Sequence, residues 1–292
     1  GKPLRRRAGR RYLTDRLTDG VVAYLGRQTG DERFLATAFF YAVHAPHIGK
    51  REFAAKYKAR GMTDDEANLA AMVEAADENI GRILAALEAS GQAGEKLVVL
   101  MGDQGGLCNN EPLRGGKPGG TALYDGGSRV PLAVRWPGVT RPGAREDSPV
   151  LSCDIFPTLR EAAGGDPKTD QPLDGLSLRP LLGGSGDLGR DAIFLERHYE
   201  DQYAAVVAGD WKLVAYWSGK RELYNLAADP YEEMDWAERM PEQTERLSKR
   251  LRAWRGEVSL TPEPGGRSGA PARLHLVLTE VLVGEVFEPT AK

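Results

Sequence analysis

The chain has 292 residues, a formal net charge of −3 at pH 7, 41% hydrophobic and 28% charged residues. Those values fit a folded chain of one large or two ordinary domains, and they exclude a general electrostatic attraction to nucleic acid or acidic membranes. Cys108 and Cys153 lack a CxxC spacing and read as free thiols, and no apolar run approaches the roughly 20 residues of a membrane span.

Residues 1–11 form a basic arm around RRRAGRR, read as solvated, and a start at Gly1 with no apolar leader points to a trimmed or partial chain. YLTDRLTDGVVAYLGRQ, residues 12–28, puts Leu13, Leu17, Val21 and Leu25 on one helix face. FLATAFFYAV, residues 34–43, is a short continuous apolar run that predicts a buried parallel strand ending at His44, with Pro46 beyond it. Lys50–Gly61 predicts a helix stopped by glycine. Thr63 and Glu66 form a capping box for a long amphipathic helix that runs to Gly91. Lys96–Met101 predicts the next buried strand, and strand–helix–strand at this scale implies a right-handed parallel crossover.

Arg129–Gly138 reads as a further strand, Cys153–Gly164 as a helix with Pro157 in its first turn, and Leu173–Gly189 as a glycine-rich loop with a short helical turn. From Ala192 the pattern becomes AIFLE, YAAVVAGDWKLVAYW and RELYNL, an antiparallel meander turned at GDWK and SGKR. Trp211 and Trp217 read as its core aromatics, and Pro241–Gly256 as an amphipathic helix. A Pro/Gly linker and a last strand or hairpin follow. The expected organisation is residues 12–190 as an α/β domain, 191–258 as a small antiparallel sheet with one helix, and 259–292 as linker and terminal strand.

Candidate chemistry concentrates in VVLMGDQGGLCNNEPLRGGKPGGTALYDGGSRVP, Val98–Pro131. Functional residues of α/β sheets gather beyond the C-terminal ends of strands, where Asp103 and His44 stand. Asp103 offers a carboxylate and Gln104 an amide oxygen to a hard cation; a turn or helix cap is the competing reading of Asp103. Lys117 lies among Gly115, Gly116, Gly119 and Gly120, a setting that lets the backbone approach an anion while the ammonium neutralises a sulfate or phosphate oxygen. A solvated lysine on a surface loop is the alternative, and a Walker A pattern is absent. His44 reads as an acid, an anion ligand or a structural histidine. Arg114 contacts substrate or pairs with an acid, and His198 and Tyr199 either line a cleft or pack.

In order, the patterns VH-x-P, MVEAADENIGRIL, D-x-GG, PLRGGK, LYDGGSRVPLAVRWPG, GDWKL and ELYNLAADP resemble the sulfatase family over roughly residues 12–256. The resemblance implies a partial alkaline-phosphatase-like mixed or parallel sheet with flanking helices, then a smaller antiparallel sheet with one C-terminal helix. It implies hydrolysis of sulfate esters by a formylglycine, made from Cys or Ser in C-x-P/A-S-R, beside calcium. Asp103 matches the aspartate metal ligand and Gln104 takes the place of its Asn partner. Lys117 matches the lysine bridging sulfate and nucleophile. His44 matches the sulfate-binding histidine in one form of the motif, and His47 in the other. Sulfated small molecules or glycans are the implied partners, and a periplasmic or extracellular place is implied.

Two departures follow. Gln104 is one methylene longer than Asn. Cys108 is followed by Asn-Asn-Glu and Cys153 by Asp-Ile-Phe, so neither is the formylglycine precursor. The chain is therefore expected to resemble the C-terminal portion of a sulfatase, inactive alone, with an incomplete calcium site and sheet edges open to association. A non-catalytic anion-binding module and a phosphoester or phosphonate hydrolase of the same superfamily stand as alternatives.

Overall fold

The computed structural model describes residues 11–28, 33–107, 110–117, 120–169, 172–184, 186–197 and 201–258. Cys108, His198, Tyr199, residues 1–10 of the basic arm and the expected terminal strand lie outside them. Two compact units divide between Lys96 and Leu97.

The first unit is helical. α1 (Leu13–Leu25), α2 (Arg51–Lys58) and α3 (Asp64–Ala89) follow the predicted pattern. The Thr63–Glu66 capping box is present, and Gly91 stops the chain beyond α3 at φ +73°. The inward stripe of α1 is one residue off the predicted face: Thr14, Thr18 and Leu25 are buried, and Leu13 is exposed. The shift follows from what α3 presents. Its buried residues Ala67, Ala71 and Ala75 are small, and Asn79 reaches Asp15 Oδ1 at 2.7 Å while Arg82 pairs with Asp19. Asp15 and Asp19 of α1 satisfy these polar groups.

Residues 34–43 correct one expectation. No strand forms there; Leu35 is 71% exposed, Phe39 63% and Tyr41 68%. A strand exists through its ladder hydrogen bonds, and none of the described segments pairs with this one. The parallel crossover expected from it is therefore not formed among the described residues.

The second unit opens with β1 (Val98–Met101), which pairs antiparallel with β2 (Leu132–Arg135), Met101 opposite Leu132. Leu100 and Met101 are about half exposed, so this expected buried strand is covered only at its start. Between the two strands lies α4 (Asp125–Ser128), and α5 (Ile155–Ala162) and α6 (Arg179–Leu182) follow. Cys153, just before α5, is a free, exposed thiol.

The meander forms as predicted, from β3 (Ile193–Glu196), β4 (Gln202–Ala208), β5 (Trp211–Tyr216) and β6 (Arg221–Asn225), all antiparallel and in chain order. α7 (Pro241–Glu257) covers one face through Leu247 and Leu251, packed with Tyr203, Val206, Leu213 and Leu223, with Trp211 and Trp217 beside them. Ala205, Val214 and Tyr224 on the opposite face pack against Leu123 and Tyr124. Both faces are thus covered, which is why β4 is buried along its whole length and reads as a continuous apolar run.

Candidate active-site loops

Asp103 and Gln104 stand just past β1, and three hydrogen bonds hold their loop. Gly102 N–H donates to Pro131 O at 2.9 Å, Gly105 N–H to Gly127 O at 2.9 Å, and Lys117 N–H to Gly106 O at 3.0 Å. The last bond brings the Lys117 backbone against the loop that starts at Asp103. Arg197 Nη2 donates to Lys117 O at 3.1 Å, so both peptide groups of Lys117 are anchored. Asn110 ties the two loops a second time: its Oδ1 accepts from Gly106 N–H at 3.0 Å, and its Nδ2 donates to Gly115 O at 2.9 Å.

The glycines have a packing cause. A Cβ on Gly105 would lie 1.9 Å from Gly126 O, and one on Gly116 would lie 2.5 Å from Asn110 Nδ2. Three backbone segments stack at distances that exclude any side chain, and Gly115 also holds φ +76°.

Beneath the loops, the meander presents a polar layer that sequence reading missed. Lys212, fully buried, lies 2.7 Å from both Asp125 Oδ1 and Glu232 Oε1, and Glu232 Oε2 accepts from Asp125 N–H at 2.7 Å. Glu232 is held at φ +58°, the left-handed region, so its buried carboxylate offsets a backbone cost. Burial drives the Glu232 carboxyl above the usual range, against the pull of Lys212.

Beside it, Tyr124 and Tyr216 hydroxyls donate to Glu222 Oε2 at 2.5 and 2.7 Å, and Lys220 reaches Glu222 Oε1 at 2.5 Å. Burial alone would raise the Glu222 carboxyl. The hydrogen bonds from Lys220, Tyr124 and Tyr216 outweigh it and hold the group below the ordinary range. Burial and the neighbouring carboxylate push the Tyr124 and Tyr224 hydroxyls well up, so both remain protonated. The available signal was period-two alternation: Lys212 shares a strand face with Val214, an inward position for a charge.

Among the described residues Arg114 pairs with no acid. Its guanidinium sits 4.1 Å over the Tyr124 ring, and Nη1 donates to Tyr224 Oη at 2.7 Å and Glu232 O at 2.6 Å. It lines a cavity of about 610 Å³ together with Asn110, Glu111, Tyr231 and Glu233.

The two histidines belong to the other compact unit. His44 is exposed, and its Nδ1 lies 2.6 Å from Ala45 O. His47 has a 7% exposed side chain, with Nδ1 2.9 Å from Asp65 Oδ1. The structure thus brings Asp103, Gln104, Arg114 and Lys117 together on neighbouring loops of one unit, with His44 and His47 in the other.

Asp103 and Gln104 offer two oxygen donors, short of the six to eight that calcium takes. Among the described residues no group of three or more His, Cys, Asp and Glu side chains could hold a metal ion. The donor set described does not by itself fit a calcium centre.

Comparison with known proteins gives these loops a family. Residues 3–165 match the family described as Sulfatase, and residues 121–257 that described as N-sulphoglucosamine sulphohydrolase, C-terminal. A sulfatase of Formosa agariphila is 33% identical over 84% of this chain and 50% of its own length. The steryl-sulfatase of Rattus norvegicus is 36% identical over 67% of this chain and 34% of its own. The crystal structure of Ps i-CgsB in complex with k-i-k-neocarrahexaose superposes with a TM-score of 0.76 at 27% identity, over 84% of this chain and 55% of that one. The chain therefore spans about half the length of such relatives, or less. With a family match over more than half of its residues, the chain belongs to the sulfatase family.

Proposed function

We propose that the chain supplies part of the metal and sulfate site of a hydrolase of sulfate esters. The observation that carries this reading is the bond from Lys117 N–H to Gly106 O, which joins the lysine loop to the loop that begins at Asp103 and Gln104. An anchored backbone on both sides of Lys117 limits the space its ammonium explores and favours a fixed anion partner. In this reading Lys117 neutralises a sulfate oxygen, and His44 or His47 hydrogen-bonds the same anion. Arg114, stacked on Tyr124 at the edge of a polar cavity, orients the alcohol part of the substrate. Asp103 and Gln104 would give two of the oxygen ligands of a calcium ion whose remaining ligands are not among the described residues, and such an ion would supply positive charge.

The alcohol is a sulfated glycan or small molecule; the relative crystallised with neocarrahexaose supports a glycan. With neither cysteine in a formylglycine precursor motif, the 292 residues alone bind sulfate without turning it over. The exposed apolar side chains of Leu35, Phe39, Tyr41 and Ile48 favour association with another chain.

An aryl sulfate assay with the pure chain and calcium tests this, together with a sulfate titration of the parent and Lys117→Ala. Sulfate binding that weakens in Lys117→Ala, with no turnover, supports the reading. Saturable hydrolysis by the chain alone, or sulfate binding indifferent to Lys117, overturns it.

A further inference from the structure

One side chain laces the loop past Asp103 to the loop that carries Lys117. Asn110 Oδ1 accepts from Gly106 N–H at 3.0 Å, and its Nδ2 donates to Gly106 O at 3.2 Å and to Gly115 O at 2.9 Å. The amide therefore meets both polar backbone groups of Gly106, as a neighbouring residue does in a β ladder. Lys117 N–H donates to the same Gly106 O at 3.0 Å, so that carbonyl engages two donors, as many as its lone pairs. Gly116 lies close against the amide: a Cβ there would stand 2.5 Å from Asn110 Nδ2 and 2.7 Å from Gly106 O. Asn110 is itself held by a turn in which its carbonyl accepts from Leu113 N–H at 3.0 Å. All of these residues belong to the second unit.

We propose that Asn110 is a positioning residue for Lys117: its side-chain amide sets the register of the lysine loop against the loop that begins at Asp103. This rests on the reading of Lys117 as the group that neutralises a sulfate oxygen. The chemistry calls for a carboxamide. One end must accept from an N–H while the other donates to two carbonyls, and among side chains of this length a carboxamide does both. An aspartate keeps the acceptor but turns oxygen toward oxygen at Gly106 and Gly115, and an alanine loses both ends. Gly115, at φ +76°, and Gly116 have no side chains to hold the loop by packing, so the loop depends on the clasp. They lead directly into Lys117. Slack at Gly115 O therefore becomes a displacement of the ammonium, and a misplaced charge holds an anion less well.

Amide hydrogen exchange of the 292-residue chain, with Asn110→Asp and Asn110→Ala variants, tests the clasp. Loss of one neutral hydrogen bond is expected to speed local exchange by about fivefold. In Asn110→Asp the Gly106 N–H keeps an acceptor and its protection, while the Lys117 N–H exchanges about fivefold faster. In Asn110→Ala both amides speed up by about that factor. Leu213 and Leu223, in the core of the meander, keep the parent rate in both variants. A Lys117 amide equally protected in all three proteins overturns the proposal. So does an Asn110→Asp variant in which Gly106, or Leu213 and Leu223, loosen together with Lys117, because the asparagine is then a general support of the fold. Titration with inorganic sulfate tests the link to the ammonium. Affinity that falls about fivefold in Asn110→Ala, yet does not change when Asn110→Ala is added to Lys117→Ala, supports the positioning role. Affinity that weakens in Lys117→Ala and is untouched in Asn110→Ala overturns it. Sulfate bound by none of the proteins overturns the sulfate reading, and the exchange pattern then supports the loop clasp alone.

Discussion

Replacing Lys212 by Met tests how the meander supports the Lys117 loop. Methionine keeps much of the length of the side chain and removes its charge. In the native fold one buried ammonium lies 2.7 Å from each of two carboxylates, Asp125 at 13% exposure and Glu232 at 0%. Removing one partner of a buried pair leaves an uncompensated charge and costs about 3–5 kcal/mol. Glu232 can relieve part of this by taking up a proton. Burial already raises its carboxyl, and the loss of Lys212 raises it further.

A carboxyl whose folded pKa lies above its unfolded value destabilises the fold as pH rises from the unfolded value through the folded one. The deficit of Lys212→Met is therefore larger at pH 8 than at pH 5, and Glu232→Gln added to it restores most of the stability. Urea unfolding at the two pH values measures this. A loss below about 1 kcal/mol at pH 8, or a double variant no better than the single one, would refute the reasoning. Amide exchange of residues 122–128 should speed up in Lys212→Met, because Asp125 and the Leu123 N–H bond to Gln202 belong to the same layer.

Glu222 should dominate acid sensitivity in the second unit. Its carboxyl is held below the ordinary range, so its contribution is present above an unfolded value of about 4.5 and is lost as pH falls through the folded one. Glu222→Gln should flatten the fall of Tm between about pH 5 and pH 3, and an unchanged acid limb would contradict this. Gly105→Ala should cost at least about 1–3 kcal/mol, because its Cβ would fall 1.9 Å from Gly126 O. Gly81→Ala, inside α3 with nothing within 4 Å of the added carbon, should instead raise stability by about 0.5–1 kcal/mol; equal effects at the two sites would refute the packing account. Thr63→Ala removes the capping box of α3 and should cost about 1 kcal/mol in thermal or urea unfolding.

Local patterns were enough for most elements. The positions of α1 to α3, the Thr63–Glu66 cap, the stop at Gly91 and the antiparallel order of β3 to β6 are each encoded within a few neighbouring residues and form as read, although the buried face of α1 differs. The order of residues also marked Asp103, Lys117 and His44 for one rim; the Lys117 loop is hydrogen-bonded to the loop past Asp103, while His44 belongs to the other unit.

Three features depend on partners distant in the chain, and only the tertiary structure decided them. The apolar run at residues 34–43 is not a strand, since a ladder needs a second segment and none of those described pairs with it. Gly115 and Gly116, beside Lys117, answer to the backbones of Thr121 and Gly106 and to the Asn110 side chain, which composition alone does not reveal. The buried Lys212 finds its counter-charges at Asp125 and Glu232, 87 and 20 positions away, so its burial is tolerable only once the loop has folded over the sheet. Spacing is a property of the chain, whereas desolvation and pairing are properties of what the fold brings beside it.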